Sequence, residues 1–215
     1  NLITWEPFFA CELDWILCET LRRHMAGDTE HRKGVVIRAV TRGVRQALLL
    51  DNLRRHAAYK AHLKEGQLLS IGAGGPDAHD EQEVAAIDDA VIKERLREDV
   101  LAGAYYLVDW RGYEGYEPGD NVVKVFAMGA VATEALAASE ALLERGIFAD
   151  VIVITNGDLL LGIPAELDGY AHLREGLGIS GDLYAVPNRV EGQAEAISLA
   201  ARRVPIVAVC DGEAG

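Results

Sequence analysis

The chain has 215 residues, half of them hydrophobic, with 34 acidic side chains against 21 lysines and arginines. That is enough for one domain, or for one domain and part of another, with a core that buries roughly 70% of the unfolded surface. A formal net charge of −13 and a pI near 4.9 disfavour nucleic acid and anionic membrane as partners.

The opening run "NLITWEPFFACELDWILCETLRRHMAGD" predicts a helix with Pro7 in its first turn and Gly27 at its end. Phe9, Leu13, Ile16, Leu17 and Leu21 recur at helical spacing and predict one apolar stripe. Cys11 and Cys18 would lie about 10 Å apart on that helix, too far for a disulfide. With Cys210 they read as buried thiols in a reducing compartment, the cytoplasm. No apolar run reaches the ~18 residues of a membrane span, and no signal peptide opens the chain.

"GVVIRAVT" (34–41) predicts a strand, and residues 46–64 a second, mostly polar helix. Residues 65–89 are rich in glycine and acid without a sustained period, the composition of a linker. "AVIKERLREDVLAG" resumes a helix, "AYYLVDW" predicts a strand, and "RGYEGYEPGD" a turn-rich loop. From Val122 the pattern alternates: a strand over 122–128, a helix over 131–145, a strand over 150–155. A helix from Ala165, a short segment "DLYAV", a helix over 191–202 and the core strand "PIVAVC" follow. Strands alternating with helices predict an α/β fold with a mostly parallel open sheet and helices on both faces. The chain stops at "CDGEAG" just after a strand, which predicts a further C-terminal part and an uncovered face or edge.

The helix over 131–145 carries Val131, Ala135, Ala138 and Leu142, with Ala132, Leu136, Ser139 and Leu143 alongside, a wide small-residue stripe suited to a sheet. Its entry turn holds one glycine, Gly129. With Thr133 it could bind an anion at the helix N-terminus, and Asp150 stands about 20 residues on, where a dinucleotide site keeps its ribose-binding acid. Ala130 and Ala132 fill the remaining fingerprint positions, so a scaffold βαβ unit is the favoured reading. Asp211 and Glu213, past the last strand, could line a cleft. His56 and His62 are six apart, a poor metal spacing, and no Walker A, G-x-S-x-G or H-E-x-x-H motif occurs. "CDGEAG" is similar to the start of a thiamine diphosphate motif, but Cys210 replaces its first glycine.

Three stretches, "NLITWEPFFACELDWILCETLRR", "GYEPGDNVVKVFAMGAVATEALAASEALLERGIFADVIVIT" and "DLLLG…HLREGLG", resemble the C-terminal portion of the homodimeric pyruvate dehydrogenase decarboxylating component. That family belongs to the transketolase-like, thiamine diphosphate-dependent group. The resemblance implies that residues 1–45 end a pyrimidine-binding domain with its last helix and strand. Residues 46–95 are then a helical and acidic linker, and 96–215 a transketolase C-terminal-like domain. It implies a whole enzyme that decarboxylates pyruvate on thiamine diphosphate with Mg²⁺ and acetylates a lipoyl group on an acyltransferase partner. The family's cofactor motif and catalytic residues fall upstream, so none is assigned to this chain; Gly129, Thr133, Asp211 and Glu213 remain as cleft candidates. A homodimer partner is implied, with this chain as scaffold and dimer support. A transketolase proper and a non-catalytic subunit-assembly domain are the competing readings.

Overall fold

The computed structural model describes residues 2–25, 34–39, 43–45, 47, 52–53, 89–111, 113–160, 182–183, 197–198 and 204–210. The chain opens with β1 (Leu2–Trp5), α1 (Ala10–Met25) and β2 (Gly34–Ile37), and β1 and β2 pair in parallel. Residues 2–5 are thus a strand, not the start of the expected helix. Ile3, Thr4 and Trp5 favour extended backbone, and Pro7 pushes Glu6 out of the helical region, so the helix starts only after Phe9. The expected stripe is half right: Phe9 and Ile16 are buried, whereas Leu17 and Leu21 are exposed. Glu12 and Ile16, one helical turn apart, face inward, and Leu17 lies about 100° further round. Of the three free cysteines Cys11 is partly covered, but Cys18 and Cys210 are exposed, against the expectation of buried thiols.

The main sheet has four strands in the order β3-β5-β4-β8. α2 (Asp89–Ala102) leads into β3 (Ala104–Val108), which is antiparallel to β5 (Phe148–Ile154). β4 (Val122–Met128) runs parallel to β5 over seven residue pairs, Val122 opposite Phe148 through Met128 opposite Ile154. β8 (Ile206–Val209) adds to the other side of β4, also in parallel. The chain is therefore a mixed α/β protein with a mostly parallel sheet. The sequence-based bounds for β4 hold, and those for β5 differ by a residue or two.

A 3-10 turn (Gly129–Val131) joins β4 to α3 (Ala132–Leu143). α3 buries Ala132, Ala135, Leu136 and Ser139, while Ala138 is exposed, so the second of the two expected rows faces the sheet. Ser139 sets the roll of the helix: its hydroxyl donates to the Ala149 carbonyl at 2.6 Å and accepts from Trp110 Nε1 at 3.2 Å. Gly146, at a φ of 74°, reverses the chain beyond α3, and the Ile147 and Gly146 amides reach back to the Leu142 and Leu143 carbonyls. Those are the paired bonds of a Schellman closure, which only glycine adopts without strain.

The core joins Phe9 and Ile16, from α1 and its entry, to Ile92, Leu96 and Val100 of α2, Tyr105 and Leu107 of β3, Val125 of β4, Leu136 of α3 and Val151 and Val153 of β5. β5 is buried on both faces, with only Ile154 partly exposed. β8 is the opposite case, an exposed edge with Ile206 and Val207 about half accessible, and not the core strand expected from its apolar sequence. Ile197 and Ser198 form β7, antiparallel to β6 (Asp182–Leu183), where a helix over 191–202 was expected. The other residues of that expected helix lie outside the described residues. The second helix over 46–64 is described only at residues 47 and 52–53, which are helical. The acidic linker before residue 89 and the helix expected from Ala165 lie outside the described residues. No described helix is long and apolar enough to cross a membrane.

Truncating a fully buried side chain of β5 should cost far more than truncating an exposed one of β8. Ile152→Ala is expected to lower stability by about 2–5 kcal/mol, and Ile206→Ala by no more than about 0.5 kcal/mol, in urea unfolding.

Candidate functional site

In open α/β sheets, ligands gather where parallel strands end. Here β4 and β5 end side by side, Met128 opposite Ile154, so the Gly129 turn and the Thr155–Asn156 exit are neighbours. Gly129 is buried at a φ of 63°, and a β-carbon there would stand 3.4 Å from Glu6 Oε2. The single glycine is therefore explained by a left-handed turn packed against a carboxylate of the same chain. Glu6 is nearly inaccessible; Arg38 Nη1 donates to its Oε1 at 2.7 Å, and its own amide donates to the Thr155 carbonyl at 2.8 Å. Thr4 reaches the same strand exit, its amide donating to Asp158 Oδ2 at 2.9 Å. The N-terminal segment thus lies across the ends of the parallel strands and presents negative charge to the turn that opens α3, where the helix dipole favours an anion.

Thr133 stands in the first turn of α3, as expected, and its hydroxyl is buried with no hydrogen-bond partner among the described residues. Asn156 is fully buried; its Oδ1 accepts from the Leu159 amide at 2.9 Å and caps α4 (Gly157–Leu160), and its Nδ2 has no partner among the described residues. Gly129 and Thr133 are brought together by the chain itself. Asp211 and Glu213 lie outside the described residues.

Asp150 does not approach this crevice. It is the third residue of β5, paired in register with Lys124, the third residue of β4, near the opposite ends of both strands. Both side chains are buried and form an ion pair. Asp150 Oδ1 accepts the Trp110 amide at 2.6 Å, Oδ2 accepts the Tyr116 hydroxyl at 2.9 Å, and Lys124 Nζ donates to the Tyr116 hydroxyl at 2.9 Å. A carboxylate so committed is not free to hold a ribose. Burial and then the Asp150 charge push the Tyr116 phenol up, so it stays neutral. Beside this cluster Arg111 pairs with Asp109 through Nε and Nη2, both at 2.8 Å, and its guanidinium lies 4.4 Å from the centre of the Tyr106 ring. Burial by itself would lower the Arg111 guanidinium; the Asp109 charge outweighs it and holds it well above its ordinary value.

A third polar group sits where α1 meets the sheet. Glu12 is fully buried; its Oε1 accepts the Tyr105 hydroxyl at 2.6 Å and its Oε2 the Phe8 amide at 2.7 Å. Burial pushes its carboxyl up to about 7, against the pull of those donors. Burial and the Glu12 charge push the neighbouring Cys11 thiol up to about 11, so it is an unreactive thiol at neutral pH. Sequence reasoning missed Glu6, Glu12, Lys124 and Asn156. For the first three the available signal was a charged residue inside an apolar run, "TWEPFF", "FACELDW" and "VVKVF". Among the described residues no group of three or more His, Cys, Asp or Glu could hold a metal ion.

No known family model matches this chain, and no curated protein matches it. Among solved structures it is similar to two crystal structures of transketolase mutants from Pichia stipitis, one of them in complex with fructose 6-phosphate. The identities are 12% and 14%, the TM-score is 0.41 in both, and each match covers 97% of this chain and 18% of the transketolase chain. The chain therefore spans about a fifth of the length of those structures.

Removing one partner of the Lys124–Asp150 pair leaves a buried charge without its counterion. Lys124→Met is expected to cost about 3–5 kcal/mol in denaturant unfolding, and adding Asp150→Asn should recover part of that loss.

Proposed function

We propose that this chain is a portion of a thiamine diphosphate-dependent 2-oxo acid dehydrogenase component, one that decarboxylates pyruvate and acetylates a lipoyl group on an acyltransferase partner. Within it the chain is scaffold: the sheet region is a transketolase C-terminal-like domain that supports a homodimer, and residues 1–45 end the preceding pyrimidine-binding domain. The reading rests on the extended sequence resemblance, whose longest stretch folds as the continuous β4–α3–β5 unit.

The observation that carries the scaffold role is the Gly129 turn. In a cofactor-binding βαβ unit this turn cradles a phosphate with backbone donors. Here the Glu6 carboxylate, paired with Arg38, packs against it and takes the place beside the glycine that a phosphate would need. The described residues therefore do not fit thiamine diphosphate with Mg²⁺, and no chemical step is assigned to them. Bound to the whole enzyme, the cofactor would supply the carbanion chemistry of decarboxylation, and this chain the packed support beside it.

Two measurements test the reading. The whole enzyme containing these residues should release CO₂ from pyruvate when supplied with thiamine diphosphate and Mg²⁺; turnover of sugar phosphates alone would sink it in favour of a transketolase. Calorimetric titration of the chain by itself with the same cofactor and metal should give no saturable heat, whereas micromolar binding would refute the scaffold assignment.

A further inference from the structure

Helix α1 is apolar on two sides. Phe9, at its entry, and Ile16 face the core. Roughly 100–200° round from Ile16 stand Leu17, Cys18, Leu21 and Met25, all exposed, with Leu21 58% and Met25 81% accessible. Leu17, Leu21 and Met25 recur every fourth residue and form one ridge; Asp14, Cys18 and Arg22 form the ridge beside it. A helix apolar on opposite sides suits packing between two bodies, and the core supplies one of them.

We propose that this outer face of α1 is a self-association surface, on which a second copy of the chain packs its own α1, antiparallel, about a two-fold axis at Cys18. This deepens the homodimer reading above by naming a surface for it. Charge selects the occupant and its orientation. Asp14 and Arg22, both exposed, stand four residues before and four after Cys18. An antiparallel pair centred there sets Asp14 of each copy against Arg22 of the other, whereas a parallel pair sets like against like. The helix dipoles also oppose each other in that arrangement. Arg22 donates to Glu19 through Nε and Nη2, both at 2.7 Å, which holds the guanidinium in place and leaves Nη1 to donate to a second carboxylate. The same symmetry brings Leu21 of each copy against the partly buried Trp15 of the other.

A single helix pair is a small contact, so the dissociation constant should be on the order of 10 μM. With packed helix axes about 8–10 Å apart, the two Cys18 Cα atoms come within disulfide reach. An added oxidant, dioxygen with copper phenanthroline, can then take two electrons and two protons from the facing thiols and leave one S–S bond between the copies. The native cysteine thus reports directly on the proposed axis.

The test is sedimentation velocity of the whole chain from about 1 to about 200 μM, with oxidative cross-linking, and with circular dichroism of each variant to confirm folding. Wild type should pass from monomer to dimer over that range, and the oxidised dimer should yield a Cys18–Cys18 peptide that Cys18→Ser abolishes. Leu21→Glu, at an exposed position, should weaken association at least about tenfold. Asp14→Arg and Arg22→Asp should each weaken it several-fold. An equimolar mixture of those two should recover it, because only the mixed pair has opposite charges at both contacts. A folded chain that stays monomeric throughout would overturn the proposal. So would a dimer that Leu21→Glu leaves intact or that lacks the Cys18 cross-link; the homodimer would then stand on another surface, and the pyruvate reading is judged separately by CO₂ release. A mixture no tighter than either variant alone would overturn the antiparallel pairing.

Discussion

The register between β4 and β5 is the constraint on which the rest of the sheet depends. Seven pairs align the strands, and the only charged residues among them, Lys124 and Asp150, fall opposite each other. A slip of one residue would turn one strand's side chains to the other face and set each charge against an aliphatic residue. Burying either ion alone costs far more than any hydrophobic gain a slip could offer. The ion pair thus selects among registers that the apolar residues leave open. β3 and β8 then attach on either side, and α3 follows because Ser139 is aimed at the Ala149 carbonyl.

Fixing that register also fixes what happens at the strands' far ends. Met128 and Ile154 finish level, so the Gly129 turn and the Thr155 carbonyl lie close enough for a single extended segment to serve both. Glu6 does so, with its amide on Thr155 and its side chain against Gly129. The crevice that an α/β sheet offers by its topology is therefore occupied from within. Its occupant is held by Arg38 on one side and, two residues on, through Phe8 and Glu12 on the other.

The β4–α3–β5 unit was legible in the sequence because its local signals agree. Alternating β-branched residues, an alanine-rich helical repeat and glycines at both junctions all indicate the same structure. β1 was not legible in that way, since its four residues precede a strongly helical run and only the restriction imposed by Pro7 separates them. Which stripe of α3 faces inward depended on the Ser139 hydrogen bonds, a tertiary fact with no local signature. The same holds for the polar residues. Glu6, Glu12 and Lys124 each read as a charge in an apolar setting, and their roles come from partners 32, 93 and 26 residues away. Asp150 was noticed for its spacing from Gly129, whereas the structure uses it for its register with Lys124.

The buried pair also has a direction. Asp150 accepts the Trp110 amide as well as the lysine, so the residue on β5 must be an acceptor, whatever stands on β4. An exchange of the two side chains would conserve charge, volume and salt bridge, yet aim an ammonium at a backbone N–H, donor against donor. The sheet is thereby handed in its electrostatics as well as in its twist. The order in which lysine and aspartate occur along the chain is fixed by an amide on the loop after β3.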